Sequence, residues 1–247
     1  MGLVRAGVGR LIIADVDEFE VSNLNRQVFA TLDTIECHKA DATAEIVRKI
    51  NPDIDVEVHH GGWTDHVDDL INRSVVVVNG TDDLGASLLL YRRARALGKN
   101  VIDAYASPLP SVYITQPNAP PHEERLGYST LGTAWDAITN DHRAIAFFKE
   151  IEWVVIHSSS RKHIDLDIVG DVVAGKRSRM SFAPMVISTG QLMCYEAINA
   201  ALGRPHGTDN RGYFFNPYTG RVERPKPALV AALMRPFVTR FLKGLTE

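Results

Sequence analysis

The sequence predicts an α/β fold: a doubly wound, mostly parallel, Rossmann-like sheet with a C-terminal hairpin and helix. Three observations carry this. Leu11-Ile12-Ile13-Ala14 is a short apolar run that ends on Asp15, the pattern of a strand covered on both faces that emerges at its carboxyl end. Ser74 to Asn79 is a second such run, followed by Gly80-Thr81-Asp82-Asp83. Around these two, strand-like and helix-like runs alternate, the order that yields crossover connections and a parallel sheet.

Composition narrows the function classes. With 45% apolar and 23% charged residues, the 247-residue chain has enough apolar material for one large domain. A formal charge of -3 leaves no electrostatic footprint for nucleic acid. No run approaches the roughly 20 apolar residues of a membrane span, and the start lacks a signal-peptide pattern. Two cysteines, Cys37 and Cys194, argue against a disulfide framework and exclude a four-cysteine zinc site within the chain. They favour a cytoplasmic, reducing setting.

The elements follow in order. Met1 to Gly9 reads as the last turn of a helix with its glycine stop. Asp17 to Phe29 is a loop entering a short helix, with Ser22 or Asn23 as the N-cap. Ala40 to Ile50 is a helix, with Ile46, Val47 and Ile50 at helical spacing, stopped by Asn51-Pro52. Ile54 to Val58 alternates as a half-covered strand does, and Val67 to Ile71 is a short helix. Ser74 to Asn79 is read as a central strand. Leu84 to Leu97 is a helix ended at Gly98. Asn100 to Ala104 and Ser111 to Thr115 are strands, and Gln116 to Pro121 is a proline-rich loop. Thr133 to Glu150 reads as a helix, Trp153 to Ile156 as a strand, and Asp165 to Ala174 is apolar-periodic. The stretch 175–180 carries Lys176, Arg177 and Arg179. Residues 181–203 form a long helix opened near Pro184 and stopped at Gly203. Tyr213 to Asn216 and Arg221 to Glu223 form a hairpin, and Ala228 to Leu242 is a basic amphipathic helix. Residues 1–205 are expected to form the nucleotide-binding domain and 206–247 an extension.

In open α/β sheets ligands sit beyond the carboxyl ends of the strands. Asp15 stands there, suited to accept hydrogen bonds from ribose hydroxyls, and Asp17 is a second candidate. Downstream come Ser22-Asn23-Leu24-Asn25-Arg26-Gln27 and, thirteen residues past Arg26, Lys39. A forked guanidinium and a compact ammonium together suit a phosphate ligand.

The run GVGRLIIADVDEFEVSNLNRQ, followed by Lys39 and Ile50-Asn51-Pro52, resembles the ThiF/MoeB/HesA superfamily, bacterial relatives of ubiquitin-activating enzymes. The late helix resembles the family's too, through Ala183-Pro184, Gly190 and Glu196-Ala197. The resemblance implies ATP- and magnesium-dependent adenylation of a substrate carboxylate: the C-terminus of a ubiquitin-like carrier, a peptide or a small acid. It implies a homodimer. Arg26 matches the arginine that contacts the ATP phosphates, and Lys39 the lysine at the α-phosphate. Asn23 and Gln27 match further site positions, although as amides they serve equally well as local caps. Asp82 matches the aspartate that holds magnesium, a cation that wants a hard oxygen and bridging phosphates.

Departures from the family pattern matter as well. Asp83 stands where the family has Asn, and Ser87 where many members carry Arg. His38, before Lys39, is expected to be exposed. The family's first strand and glycine-rich phosphate turn are expected upstream of Met1. No cysteine lies in Gly127 to Arg179, where members that use a thiolate place it. Cys194 reads as packed and Cys37 as a weak candidate, so adenylation without a thioester or zinc site is expected. His157, Ser158 to Ser160, Arg161 and His163 form a polar cluster, but no G-x-S-x-G supports a hydrolase. Two alternatives stay open: a non-catalytic ThiF-fold partner subunit, and an NAD-dependent oxidoreductase.

Overall fold

The structure is a computed structural model that describes residues 1–173, 176–177 and 181–245. Helix α1 (Gly2–Arg5) ends in Gly7, whose φ of 83° only a glycine adopts without strain. Strand β1 (Arg10–Ala14) follows, then helix α2 (Lys39–Ile50) and strand β2 (Asp55–His59). β1 and β2 are parallel, Arg10 facing Asp55 and Ala14 facing His59. A parallel pair needs such a crossover. α2 covers it with Ala44 and Val47, which pack on Ile54 and Val56. Val4 of α1 joins this core, while its neighbour Leu3 reaches a different one beside Ile102, Val112 and Ile114.

Helix α3 (Val67–Asn72) leads to strand β3 (Val77–Val78), helix α4 (Leu84–Ala96), strand β4 (Val101–Asp103) and strand β5 (Ser111–Thr115). Helices α5 (His122–Leu126), α6 (Asn140–His157), α7 (Leu166–Val173) and α8 (Ala183–Ala201) come next. The hairpin of β6 (Tyr213–Asn216) and β7 (Arg221–Glu223) and helix α9 (Ala228–Gly244) complete the order. The second sheet runs β3-β4-β5-β6-β7. Its first pair is parallel, joined by α4, and the pairs from β4 onward are antiparallel. The α/β class is thus as the sequence predicts, with the parallel pairs on the side that carries Asp15 and Asp82. The hairpin continues the sheet, Ser111 facing Phe214. α8 packs on β4 and β5, and α9 on α6. Among the described residues no helix is long and apolar enough to cross a membrane.

Four local expectations are corrected. Of Ser74 to Asn79 only Val77–Val78 form a strand, and they lie at the end of the strand order rather than in its centre. Val75 is 66% exposed, so a run of valines did not mean burial on both faces. Trp153 to Ile156 is not a strand. It is the last turns of α6, because a four-residue apolar run carries no period that separates the two. That helix starts at Asn140, where Thr139 and His142 close a capping box, and not at Thr133. The short helix after Asp17 is a single 3₁₀ turn, Val21–Asn23, whose N-cap is Glu20 rather than Ser22 or Asn23. Of the basic stretch 175–180, only Lys176 and Arg177 are among the described residues.

Candidate functional site

The turn after β1 is tied at its start to β2 and otherwise built by contacts within its own loop and the start of α2. Asp15 N–H donates to His59 O at 3.1 Å, extending the parallel ladder one residue past the strand. Its Oδ1 then accepts Asp17 N–H at 3.0 Å. Phe19, buried to 3% exposure, pins the loop: its N–H donates to Cys37 O at 2.9 Å and its carbonyl accepts Glu36 N–H at 2.8 Å. Asp17 is bound to Lys39 twice, by Lys39 N–H to its carbonyl at 2.9 Å and by Lys39 Nζ to Oδ2 at 2.8 Å. Asn23 Oδ1 accepts Glu20 N–H at 3.1 Å, which closes the 3₁₀ turn. The chain then delivers Arg26, whose Nη1 donates to Ser22 O at 2.7 Å and Asn25 Oδ1 at 2.9 Å. These bonds hold the guanidinium through Nη1, while Nε and Nη2 have no hydrogen-bond partner among the described residues.

Asp15, Arg26, Gln27 and Lys39 line one hollow of about 380 Å³, closed on the far side by Val186, Gly190 and Gln191 of α8. Four of the seven residues singled out from the sequence therefore converge. Asp17 stands behind Lys39, 63% exposed at its side chain, and aims the ammonium. Asn23 is buried and serves the turn. Asp82 is exposed on the turn after β3 and is not among the residues lining this hollow. A larger hollow, about 510 Å³, runs along α9, but its lining residues all belong to that helix and no strand end points at it.

Two cations against one free acid give the hollow an anion preference, and a phosphate has only to compete with Asp17 for Lys39. Among the described residues no group of three or more His, Cys, Asp or Glu could hold a metal by itself. Asp82 has no hydrogen bond or ion pair there either, so it is free to give one hard oxygen. That fits magnesium, which takes one or two carboxylates and completes its shell with phosphates and water. Its neighbour Asp83 is committed elsewhere: it caps α4 through Ala86 N–H at 2.8 Å and pairs with Arg143 at 2.7 Å. Burial opposes its ionisation, but Arg143 and the helix amides hold its carboxyl below the usual range.

The sequence did not single out Asn79 or Asp103, and it marked Ser87 only as a departure from the family's Arg. All three meet in one hydrogen-bonded group. Burial pushes the Asp103 carboxyl above the ordinary range, although Tyr91, Ala104, Asn79 and Tyr113 all donate to it. The signal that could have found it is the one used for Asp15, an acid at the end of an apolar strand.

The other polar candidates are structural. Ser159 donates its N–H to Glu223 at 2.6 Å, and Ser158 Oγ reaches Ser160 Oγ at 2.6 Å, so the serine cluster follows a helix and fastens the hairpin. His38 is exposed and lies against the His60 ring, 4.8 Å between centroids. Cys37 is exposed; Cys194 is half-buried, and burial raises its thiol pKa.

Comparison with known proteins gives a family and a fold. The model of the ThiF family matches residues 1–232. The ThiS adenylyltransferase of Escherichia coli is 31% identical over 105 residues, 42% of this chain and 42% of that protein. The adenylyltransferase and sulfurtransferase MOCS3 of Culex quinquefasciatus is 32% identical over 105 residues, 42% of this chain and 24% of that protein. The SAMP-activating enzyme E1 of Haloferax volcanii is 38% identical over 89 residues, 36% of this chain and 33% of that protein. The chain thus spans less than half the length of these relatives. Among solved structures, the microcin C7 biosynthetic enzyme MccB with N-formylated MccA superposes with a TM-score of 0.60 at 16% identity, over 91% of this chain and 60% of that one. PaaA superposes with a TM-score of 0.55 at 18% identity, over 91% and 68%. At such identities the likeness speaks for the fold.

Proposed function

Because the chain belongs to the ThiF family, whose members activate a carboxylate by adenylation, we propose that it binds ATP and transfers AMP to a substrate carboxylate. The observation that carries this reading is the convergence of Asp15, Arg26, Gln27 and Lys39 on one hollow past the carboxyl end of β1. Asp15 accepts hydrogen bonds from the ribose hydroxyls. Lys39 lies against the α-phosphate and Gln27 donates to a phosphate oxygen. The substrate carboxylate attacks the α-phosphorus, an acyl–phosphate bond forms, the bond to the β-phosphate breaks, and pyrophosphate leaves. Arg26 neutralises the charge that grows on the departing oxygens, the kind of fixed electrostatic help that dominates such reactions. Magnesium, held by Asp82, would supply charge neutralisation at the β- and γ-phosphates.

The relatives support a substrate class: two carry ThiS and SAMP in their names as what they adenylate or activate, and MccB is seen with N-formylated MccA. We read the substrate of this chain as the C-terminal carboxylate of a ubiquitin-like protein or peptide, adenylated without a thioester or zinc step. The exposed apolar residues Ile187 and Tyr195 of α8 and Leu229, Leu233 and Phe237 of α9 suit the interface of a cytoplasmic homodimer. One observation favours a second reading, a non-catalytic partner subunit: Asp82 lies off the wall that holds Arg26 and Lys39.

ATP–pyrophosphate exchange, driven by a panel of peptides and ubiquitin-like carriers with free C-termini, separates the two. Exchange is expected with at least one carboxylate. Arg26→Ala should lower it by about 100-fold or more while leaving the fold intact. Full exchange by Arg26→Ala removes that residue from the mechanism. MgATP binding without exchange by any member of the panel favours the partner subunit.

A further inference from the structure

Asn79 and Asp103 follow each other across the carboxyl ends of two parallel strands, and neither touches the hollow described above. Asn79 is 4% exposed. Its Nδ2 donates to Asp103 Oδ2 at 2.8 Å and to Ser87 Oγ at 3.1 Å. Its Oδ1 turns the other way and accepts Thr81 N–H at 3.3 Å. Thr81 Oγ1 accepts Asp83 N–H at 3.1 Å, and Asp83 is fastened to α4 and to Arg143. Of the side chains on the turn 79–83, only that of Asp82 is left unengaged among the described residues. The turn is therefore clamped on both sides of the one carboxylate it presents.

The clamp is anchored in the core. Asp103 Oδ2 also accepts Tyr91 Oη–H at 2.7 Å and Tyr113 Oη–H at 3.1 Å, while Oδ1 accepts Ala104 N–H at 2.6 Å. Two oxygens meet four donors, so no group with a donor of its own can replace this carboxylate without facing another donor. Such an arrangement has more polar contacts than a strand end needs for packing, and they lead to the turn.

We propose that Asp103, acting through Asn79, is a positioning device that holds the turn 79–83 so that Asp82 is preset to take magnesium with the nucleotide. This rests on the reading of Asp82 as the metal ligand. Asp103 and Asn79 are positioning residues: they reach neither metal nor substrate. A ligand carried on an exposed turn binds well only if the turn is already ordered, because otherwise binding must order it. Partners behind a ligand set metal affinity by about 10- to 100-fold.

The test uses the full chain and two readouts. Calorimetric titration with ATP, once with magnesium and once with a chelator, gives the metal-dependent gain in affinity. Amide hydrogen exchange over 79–83 reports the turn without any ligand. Asn79→Ala should bind ATP with chelator as wild type does, lose about tenfold or more of the metal-dependent gain, and exchange the Thr81 amide about tenfold faster. Asp82→Ala should lose the gain without faster exchange. Tyr113→Phe, which removes one donor and leaves Asn79 in place, should keep both. Unchanged gain and unchanged protection in Asn79→Ala overturn the proposal. So does an equal loss in Tyr113→Phe, since the effect would then be general loosening. If Asp82→Ala keeps the wild-type gain, the metal assignment itself fails and takes the positioning role with it. Should Asn79→Ala not fold, Asn79→Ser removes the same carbonyl and carries the same test.

Discussion

The turn after β1 and the turn after β3 look alike in sequence and are built in opposite ways. Each leaves a parallel strand and presents an acid. The first is held by its own neighbourhood: Asp15 to Asp17, Asp17 to Lys39, Asn23 to Glu20, all within one loop and its helix. Its charges face a hollow, and their bonds are exchangeable for a ligand's. The second is held from outside, by Asp103 of β4, Ser87 of α4 and, behind them, Tyr113 of β5. Its holding groups include the buried Asn79 and Tyr113, and they leave one carboxylate free. A turn made to grip a ligand can be strapped by groups that the ligand replaces. A turn made to present a single oxygen has to be fixed by groups that no ligand displaces.

That contrast predicts a difference in stability. Asp103→Ala removes the acceptor that the buried donors Tyr91, Tyr113 and Asn79 share and should destabilise by about 2–4 kcal/mol. Asp17→Ala breaks only an exposed pair and should stay within about 0.5 kcal/mol of wild type. Denaturant midpoints of the two variants measure the difference. Equal losses would mean that the two turns are held alike.

A smaller effect comes from pH. His157 at the end of α6 is buried, and its Nδ1 accepts Lys226 N–H at 3.1 Å, a bond open only to the neutral ring. Burial, aided by the positive charges of Arg211 and Lys226, pushes its pKa down from 6.5 to about 3. Between those two values the unfolded chain binds a proton that the folded chain refuses. Stability therefore falls as pH drops from 6.5 towards 3, by at most about 1.4 kcal/mol per unit, and this contribution is flat above 6.5. Denaturant midpoints at pH 7 and pH 4.5 should show the fall, and His157→Gln should show less of it.

What was legible in the sequence follows the same division. β1, α2 and α4 could be read because periodicity and stop residues are local, and glycines at 98 and 203 mark helix ends where φ is positive. The grouping of Asp15, Arg26, Gln27 and Lys39 came from a contiguous motif and one downstream lysine. Asn79 could not be read: an amide after four valines gives no hint that it spans from Asp103 to Thr81. The misreading of Trp153 to Ile156 has a related cause: the run closes α6, which packs against α5 and α9, and four apolar residues do not announce contacts that distant in sequence. Asp82 lies between the two cases, named by its motif and held by partners that no motif contains.

The most direct measurement is calorimetric titration of the full chain with MgATP, beside the double variant Arg26→Ala, Lys39→Ala. Saturable binding by the wild type, weakened at least about tenfold in a variant that melts at the same temperature, is the predicted result. Wild-type affinity in the folded double variant would contradict a nucleotide site in the hollow between the β1 turn and α8.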